Sequence, residues 1–113
     1  MFPRRNRLSR EEIALVTKNG KAVHTPLFTL KLLPHASGTG HKFAFVISKK
    51  ESKTAVSRNR AKRRVRGAMQ KLVPKLDKPL YCIVFIKKAV LDTPFGDIVL
   101  SLNKALQANK LTS

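Results

Sequence analysis

Residues 58–72 read RNRAKRRVRGAMQKL, and the first nine of them hold six positive charges and no acid. A disordered basic tail would mix Gly, Pro or Ser into its charges. Here Ala61, Val65, Ala68, Met69 and Leu72 recur at helical spacing behind the cations. At about 100° per residue, Ala61, Val65, Ala68 and Leu72 fall within a sector of roughly 60°, with Met69 beside it. This stripe must face a sheet, while Arg60, Lys62, Arg63, Arg64 and Arg66 fan across the opposite side. Arg58 falls at the border and is expected along the groove between helix and sheet. Asn59, with a donor and an acceptor, suits a base edge or a 2′-hydroxyl. A rigid face of five arginines and one lysine, with no carboxylate in reach, suits phosphate.

Working outward, the rest of the chain supplies the core that this helix needs. With 113 residues and 42% hydrophobic content, the chain is one domain, spanning 1–113, and not a disordered polybasic segment. The net charge of +18, from 24 basic and 6 acidic residues, is far beyond what solubility requires. A polyanion must relieve it. Residues 1–7 form a short basic arm expected to order on a partner. Ser9 and Glu12 form a capping box that starts a helix running to about Lys18, stopped at Asn19 and Gly20.

Leu27 to Leu33 alternates as a strand with one polar face, and Lys42 to Ser48 is a second strand, joined through a hairpin loop from Pro34 to His41. A further short strand near Ala22 to His24 is possible. Ser52, Thr54 or Ser57 could cap the basic helix. Leu80 to Ile86 is another apolar strand between turns at Pro74 to Pro79 and Asp92 to Pro94. Phe95 to Ala108 is a last helix with an apolar stripe.

Side chains for protein-borne catalysis are scarce. Glu11 and Glu12 diverge by about 100° on a helix and serve its positive end. Asp77, Asp92 and Asp97 are scattered at turns and a helix start, where they cap. His24, His35 and His41 form no metal pattern with the lone Cys82, which reads as a small buried side chain. Nothing approaches the roughly 20 apolar residues of a membrane span. A secretory signal is likewise missing, so the cytoplasm is the expected compartment. A lipid-surface binder is disfavoured because the apolar stripe behind the basic helix is committed to the core.

The run Ala55, Val56, Ser57, Arg58, Asn59, Arg60, Ala61, Lys62, Arg63 and Arg64 resembles the signature of the bacterial ribonuclease P protein family. Asn6, Arg7 and Leu8, then Lys18, Asn19 and Gly20, then Ser48, Lys49 and Lys50 support the resemblance. It implies an α+β fold, a compact α/β sandwich in the order α-β-β-β-α-β-α, with a small mixed sheet and a left-handed crossover through the basic helix. It also implies a protein subunit without catalytic residues or a cofactor of its own, which assists an RNA enzyme that removes the 5′ leader of precursor tRNA.

The implied partners are the catalytic RNA and precursor tRNA, with magnesium held by the RNA and no small-molecule substrate or membrane. Arg58, Asn59, Arg60, Lys62, Arg63, Arg64 and Arg66, with Lys49, Lys50 and Lys53, would then bind RNA. Ile13, Thr17, Phe28, Lys31 and Ser48 would line the leader cleft. Two departures stand out: Ile13 and Thr17 occupy positions where the family commonly has aromatics, and the Glu51 to Thr54 loop lacks the usual glycine. The alternative is a small ribosomal or architectural RNA-binding protein with no role in cleavage.

Overall fold

A computed structural model describes residues 7–34, 41–76 and 79–109. Its elements are α1 (Arg10–Asn19), β1 (Lys21–His24), β2 (Phe28–Pro34), β3 (Lys42–Val46), α2 (Ala55–Leu72), β4 (Leu80–Ile86) and α3 (Phe95–Ala108), with 3-10 turns at Val73–Lys75 and Lys88–Asp92. Residues 1–6 of the expected 1–7 basic arm, most of the expected loop after Pro34 with its His35, and Asp77 lie outside the described residues.

The four strands form one sheet in the order β1-β2-β4-β3. β2 runs antiparallel to both β1 and β4, whereas β3 lies parallel to β4. The expected hairpin between β2 and β3 is therefore wrong, because β4 inserts between them. The physical reason is that β4 alternates nothing polar: Leu80 to Ile86 can be buried on both faces and belongs at the sheet's centre. Parallel β3 and β4 then require a long connection, which α2 supplies. Arg7 adds a parallel bridge to Phe43, and the Leu8 N–H donates to the Phe43 carbonyl at 3.2 Å, extending the sheet past β3.

One face of the sheet carries Phe28, Leu30, Leu32, Phe43, Leu80, Cys82, Val84 and Ile86 against α2 and α3. The buried side of α2 is Ala61, Val65, Ala68, Met69 and Leu72, as its spacing requires, and α3 adds Ile98, Leu102, Ala105 and Leu106. Asp97 lies in the first turn of α3 without a side-chain cap bond, so its contribution there is charge against the helix dipole. Cys82 is fully buried, and burial pushes its thiol well above the usual range, which keeps it protonated and inert.

On the opposite face, Leu8, Val16 and Ile83 form a smaller cluster that seats α1, flanked by Ile13, Leu33, Ala44 and Tyr81. Gly20 ends α1 with φ −73°, an ordinary backbone angle. Its glycine is needed for space, since a Cβ would stand 2.4 Å from the Val16 carbonyl oxygen. At the other end of α1 the capping box is complete. Ser9 Oγ accepts from the Glu12 N–H at 3.2 Å, and Glu12 Oε1 accepts from the Ser9 N–H at 2.8 Å.

Glu12 also pairs with Lys42 at 2.9 Å, which ties α1 to edge strand β3. Burial alone would raise the Glu12 carboxyl. Hydrogen bonds from the Ser9 backbone, Lys42, Tyr81 and the Ser9 side chain overcome that and lower it from 4.5 to about 2. A carboxylate depressed in the folded state stabilises above its unfolded pKa, and that stability is lost as pH falls toward the folded value. Glu12→Gln should therefore cost about 1–2 kcal/mol at neutral pH, a cost that fades through the acid range. Urea unfolding of both proteins from neutral to strongly acidic pH checks this; a constant gap would remove the carboxylate's charge from the explanation.

Candidate nucleic-acid interface

The basic helix begins where Thr54 caps it, its Oγ1 accepting from the Ser57 N–H at 3.2 Å. Of the three candidate caps, Thr54 is the one used. Ser52 is buried and its hydroxyl bonds that of Ser57. Arg58 turns back from α2, donating to the carbonyl oxygens of Ser52 at 3.0 Å and Lys53 at 3.2 Å. It thus holds the loop that displays Lys49, Lys50 and Lys53, all exposed, and its charge stays at the interface. Its half-buried position fits the border of the apolar stripe, and the carbonyls six and five residues upstream supply acceptors for the guanidinium.

Arg64 departs further from the outward fan. Its Nε donates to the Val90 carbonyl at 3.3 Å, and its terminal nitrogen donates to the Thr93 carbonyl. Those carbonyls lie at the Lys88–Asp92 turn, so Arg64 fastens the approach to α3 onto α2. A helical wheel places Arg64 on the polar side but cannot show that a neighbouring turn passes within its reach. Arg60, Arg63 and Asn59 are exposed, and Lys62 and Arg66 are half-buried. The Arg66 guanidinium sits 5.7 Å from the Phe45 ring centroid, a cation–π contact that holds it in place.

The other face of the sheet presents a second surface. α1 covers only one end of it. Ile13 packs into the small cluster, Thr17 Oγ1 donates to the Ile13 carbonyl at 2.8 Å, and Lys31 Nζ donates to the Thr17 carbonyl at 3.1 Å. These three candidates meet at the seam between α1 and β2. Beyond that seam is a depression of about 210 Å³, lined by Thr29, Val46, Ser48, Glu51, Phe85 and Lys87. Ser48 belongs to this open end. Phe28 does not belong to the cleft at all, being fully buried on the α2 side of β2. Alternation along β2 sends Phe28 and Thr29 to opposite faces, and Thr29 is the one that faces the depression.

Phe85 is the residue that sequence reading missed. It is 36% exposed, stands opposite Thr29 on β2 and Val46 on β3, and is the aromatic in the open depression. A uniformly apolar strand hides which of its faces is covered. Tyr81, Ile83 and Phe85 share one side of Leu80 to Ile86, and which of them stays open is set by where α1 is seated, against Ile83 and Tyr81. Among the described residues, no three His, Cys, Asp or Glu side chains converge as a metal site, and no helix is long and apolar enough to cross a membrane. His41 is drawn into structure instead, its Nδ1 accepting from the Leu80 N–H at 3.2 Å.

The family model for ribonuclease P matches residues 2–110. The chain belongs to the ribonuclease P protein family. It is 37% identical over 87 residues to the ribonuclease P protein component of a Pseudanabaena strain, covering 76% of this chain and 75% of that one. The counterpart from Symbiobacterium thermophilum is 34% identical over 90 residues, covering 80% and 77%. In fold, it is similar to the ribonuclease P protein of Staphylococcus aureus, with a TM-score of 0.78 at 21% identity, covering 96% of this chain and 98% of the other. The ribonuclease P protein of Thermotoga maritima gives a TM-score of 0.75 at 21% identity, with 89% and 96% covered.

Membership makes this chain a protein component of the RNA–protein enzyme that processes tRNA, with RNA as a partner. That decides against a purely architectural RNA binder. The mixed α+β fold implied by the resemblance is the one observed.

The division of labour within the arginine run is measurable. Arg64→Ala should destabilise the fold by about 1–2 kcal/mol, as expected for lost charged hydrogen bonds to part-buried carbonyls. Arg60→Ala should change stability by less than about 0.5 kcal/mol. Denaturant unfolding of the two variants distinguishes them, and equal small losses would return Arg64 to the solvent-facing set.

Proposed function

We propose that α2 and the loop before it bind the catalytic RNA of ribonuclease P, while the open end of the opposite sheet face holds the single-stranded 5′ leader of precursor tRNA. The observation that carries this reading is the two-sidedness of the sheet. α2 presents Asn59, Arg60, Lys62, Arg63 and Arg66, the opposite face of the sheet presents a depression with an exposed aromatic ring, and the exposed lysines 49, 50 and 53 lie on the loop that joins β3 to α2, whose Ser48 and Glu51 line that depression. Arg58 contributes by holding the loop and Arg64 by holding α3.

The chemistry of cleavage then belongs to the RNA and the magnesium it binds. The protein's part is electrostatic and geometric. Its cations screen phosphate repulsion between two RNAs, and the leader gains contacts that the RNA alone lacks. Phe85 supplies a stacking surface where Ile13 and Thr17 do not, and every base has a face that can use it. Lys31 and Ser48 flank the path along which the leader would run, with Ile13 and Thr17 on its α1 side. The whole chain works as one RNA-binding domain, in the cytoplasm where tRNA precursors are made.

Reconstitution tests the reading. Adding the protein to a bacterial ribonuclease P RNA at low magnesium should accelerate leader removal, and the protein alone should cut nothing. If about six phosphates are engaged, the affinity for the catalytic RNA should fall with salt at a log–log slope of about −4 to −5. A slope near zero would sink the assignment of α2.

Phe85→Ala should weaken binding of leader-bearing precursor by about fivefold or more, the low end of a single stacked base, and leave mature tRNA unaffected. Equal effects on the two substrates would take the leader off this face.

A further inference from the structure

Along α2, two depressions meet at a partition made of Arg63 and Arg66. The first, of about 420 Å³, is lined by Val56, Asn59, Arg63 and Arg66. The second, of about 200 Å³, is lined by Arg63, Arg66, Gly67 and Gln70. Each has a carboxamide at its outer end and two guanidinium groups at its inner end. A helix rises about 1.5 Å per residue, so the pair extends roughly 20 Å from Val56 to Gln70.

Phosphate binding alone does not account for three of these features. Val56 is 79% exposed, an apolar side chain at the mouth of a charged groove. Arg66 is held over the Phe45 ring, so the guanidinium is a fixed planar surface instead of a mobile charge. Asn59 and Gln70 each offer two N–H donors and a carbonyl acceptor, the set that reads a base edge and adds little to a phosphate contact.

We propose that this groove takes unpaired nucleotides of the RNA partner, with a base stacked on Arg66, its edge met by Asn59 or Gln70, and its phosphate on Arg63. Val56 covers the base from the solvent side. The inference rests on the assignment of α2 to the catalytic RNA and deepens it, because it specifies extruded single nucleotides over the backbone of an uninterrupted duplex. A duplex keeps its bases stacked within itself and would leave the apolar and amide groups unused.

The test uses the full-length protein and two small probes, 5′-AMP and ribose 5-phosphate, at equal ionic strength, followed by methyl, side-chain amide and arginine Nε–H NMR. Both probes should shift the Arg63 signals. AMP alone should shift the Val56 methyls and the Asn59 or Gln70 carboxamides, and it should bind about fivefold tighter or more, the low end for one stacked base.

Arg66→Lys keeps the charge and removes the planar face, so it should abolish the AMP preference and leave ribose 5-phosphate binding unchanged. Phe45→Leu, which keeps apolar contact with the core, should do the same by releasing the guanidinium. Identical shifts and affinities for the two probes, or a preference that survives both substitutions, would overturn the proposal. AMP shifts confined to Phe85 and its neighbours would overturn it as well.

Salt-dependent binding of wild-type protein to the catalytic RNA, measured in parallel, separates the two levels. Steep salt dependence without an AMP preference ends this inference and leaves the α2 assignment standing. Salt-independent RNA binding removes the assignment and the inference with it.

Discussion

The seating of α2 on the sheet governs the rest of the molecule. Ala61, Val65, Ala68, Met69 and Leu72 are all buried. Once that stripe is seated, α2 cannot rotate without bringing a guanidinium into an apolar layer, at a cost of several kcal/mol. Every cation on the helix is therefore aimed by residues buried in the core. The same seating sets the crossover from β3 to β4, since a helix on that face must return the chain parallel to the strand it left.

The cations on this fixed helix divide by what lies within reach of each. Arg58 finds loop carbonyls and Arg64 finds those of the turn before α3, so two of the five arginines brace the fold. Arg66 finds an aromatic ring on β3 and becomes a positioned plane. Arg60 and Arg63 remain on the surface. Arginine serves all these uses because its fork of donors can bind carbonyls as well as phosphates and its flat face can lie over a ring. An alanine scan of this motif consequently mixes folding with binding unless stability is measured beside affinity.

The sheet is used on both sides, and the two sides are sealed differently. α2 and α3 cover the larger cluster completely, whereas α1 covers only the end of the other face where Val16 meets Ile83. The link between Glu12 and Lys42 fixes α1 at that end, leaving Thr29, Val46 and Phe85 open. A short helix held at one end is thus what creates a cleft. Phe85 on the strand is the aromatic ring exposed at that open end.

Much of this was legible from residue order. The capping box, the apolar stripe of α2, the span of β4 and the limits of α3 follow from local rules of capping and periodicity, which act between residues three or four apart. The family signature lies in one continuous stretch and needs no folding to be read. What the sequence could not supply was adjacency between distant segments. Nothing in Phe28 to Leu32 says that β4, some fifty residues later, will pair with it before β3 does. Nothing in Arg64 says that the Val90 and Thr93 carbonyls will stand beside it, and nothing in Phe85 says that α1 stops short of it. Local chemistry determined the elements and the charge they carry; tertiary packing decided which charges are spent inside the protein and which aromatic ring is left open, because both depend on contacts that exist only once the core has closed.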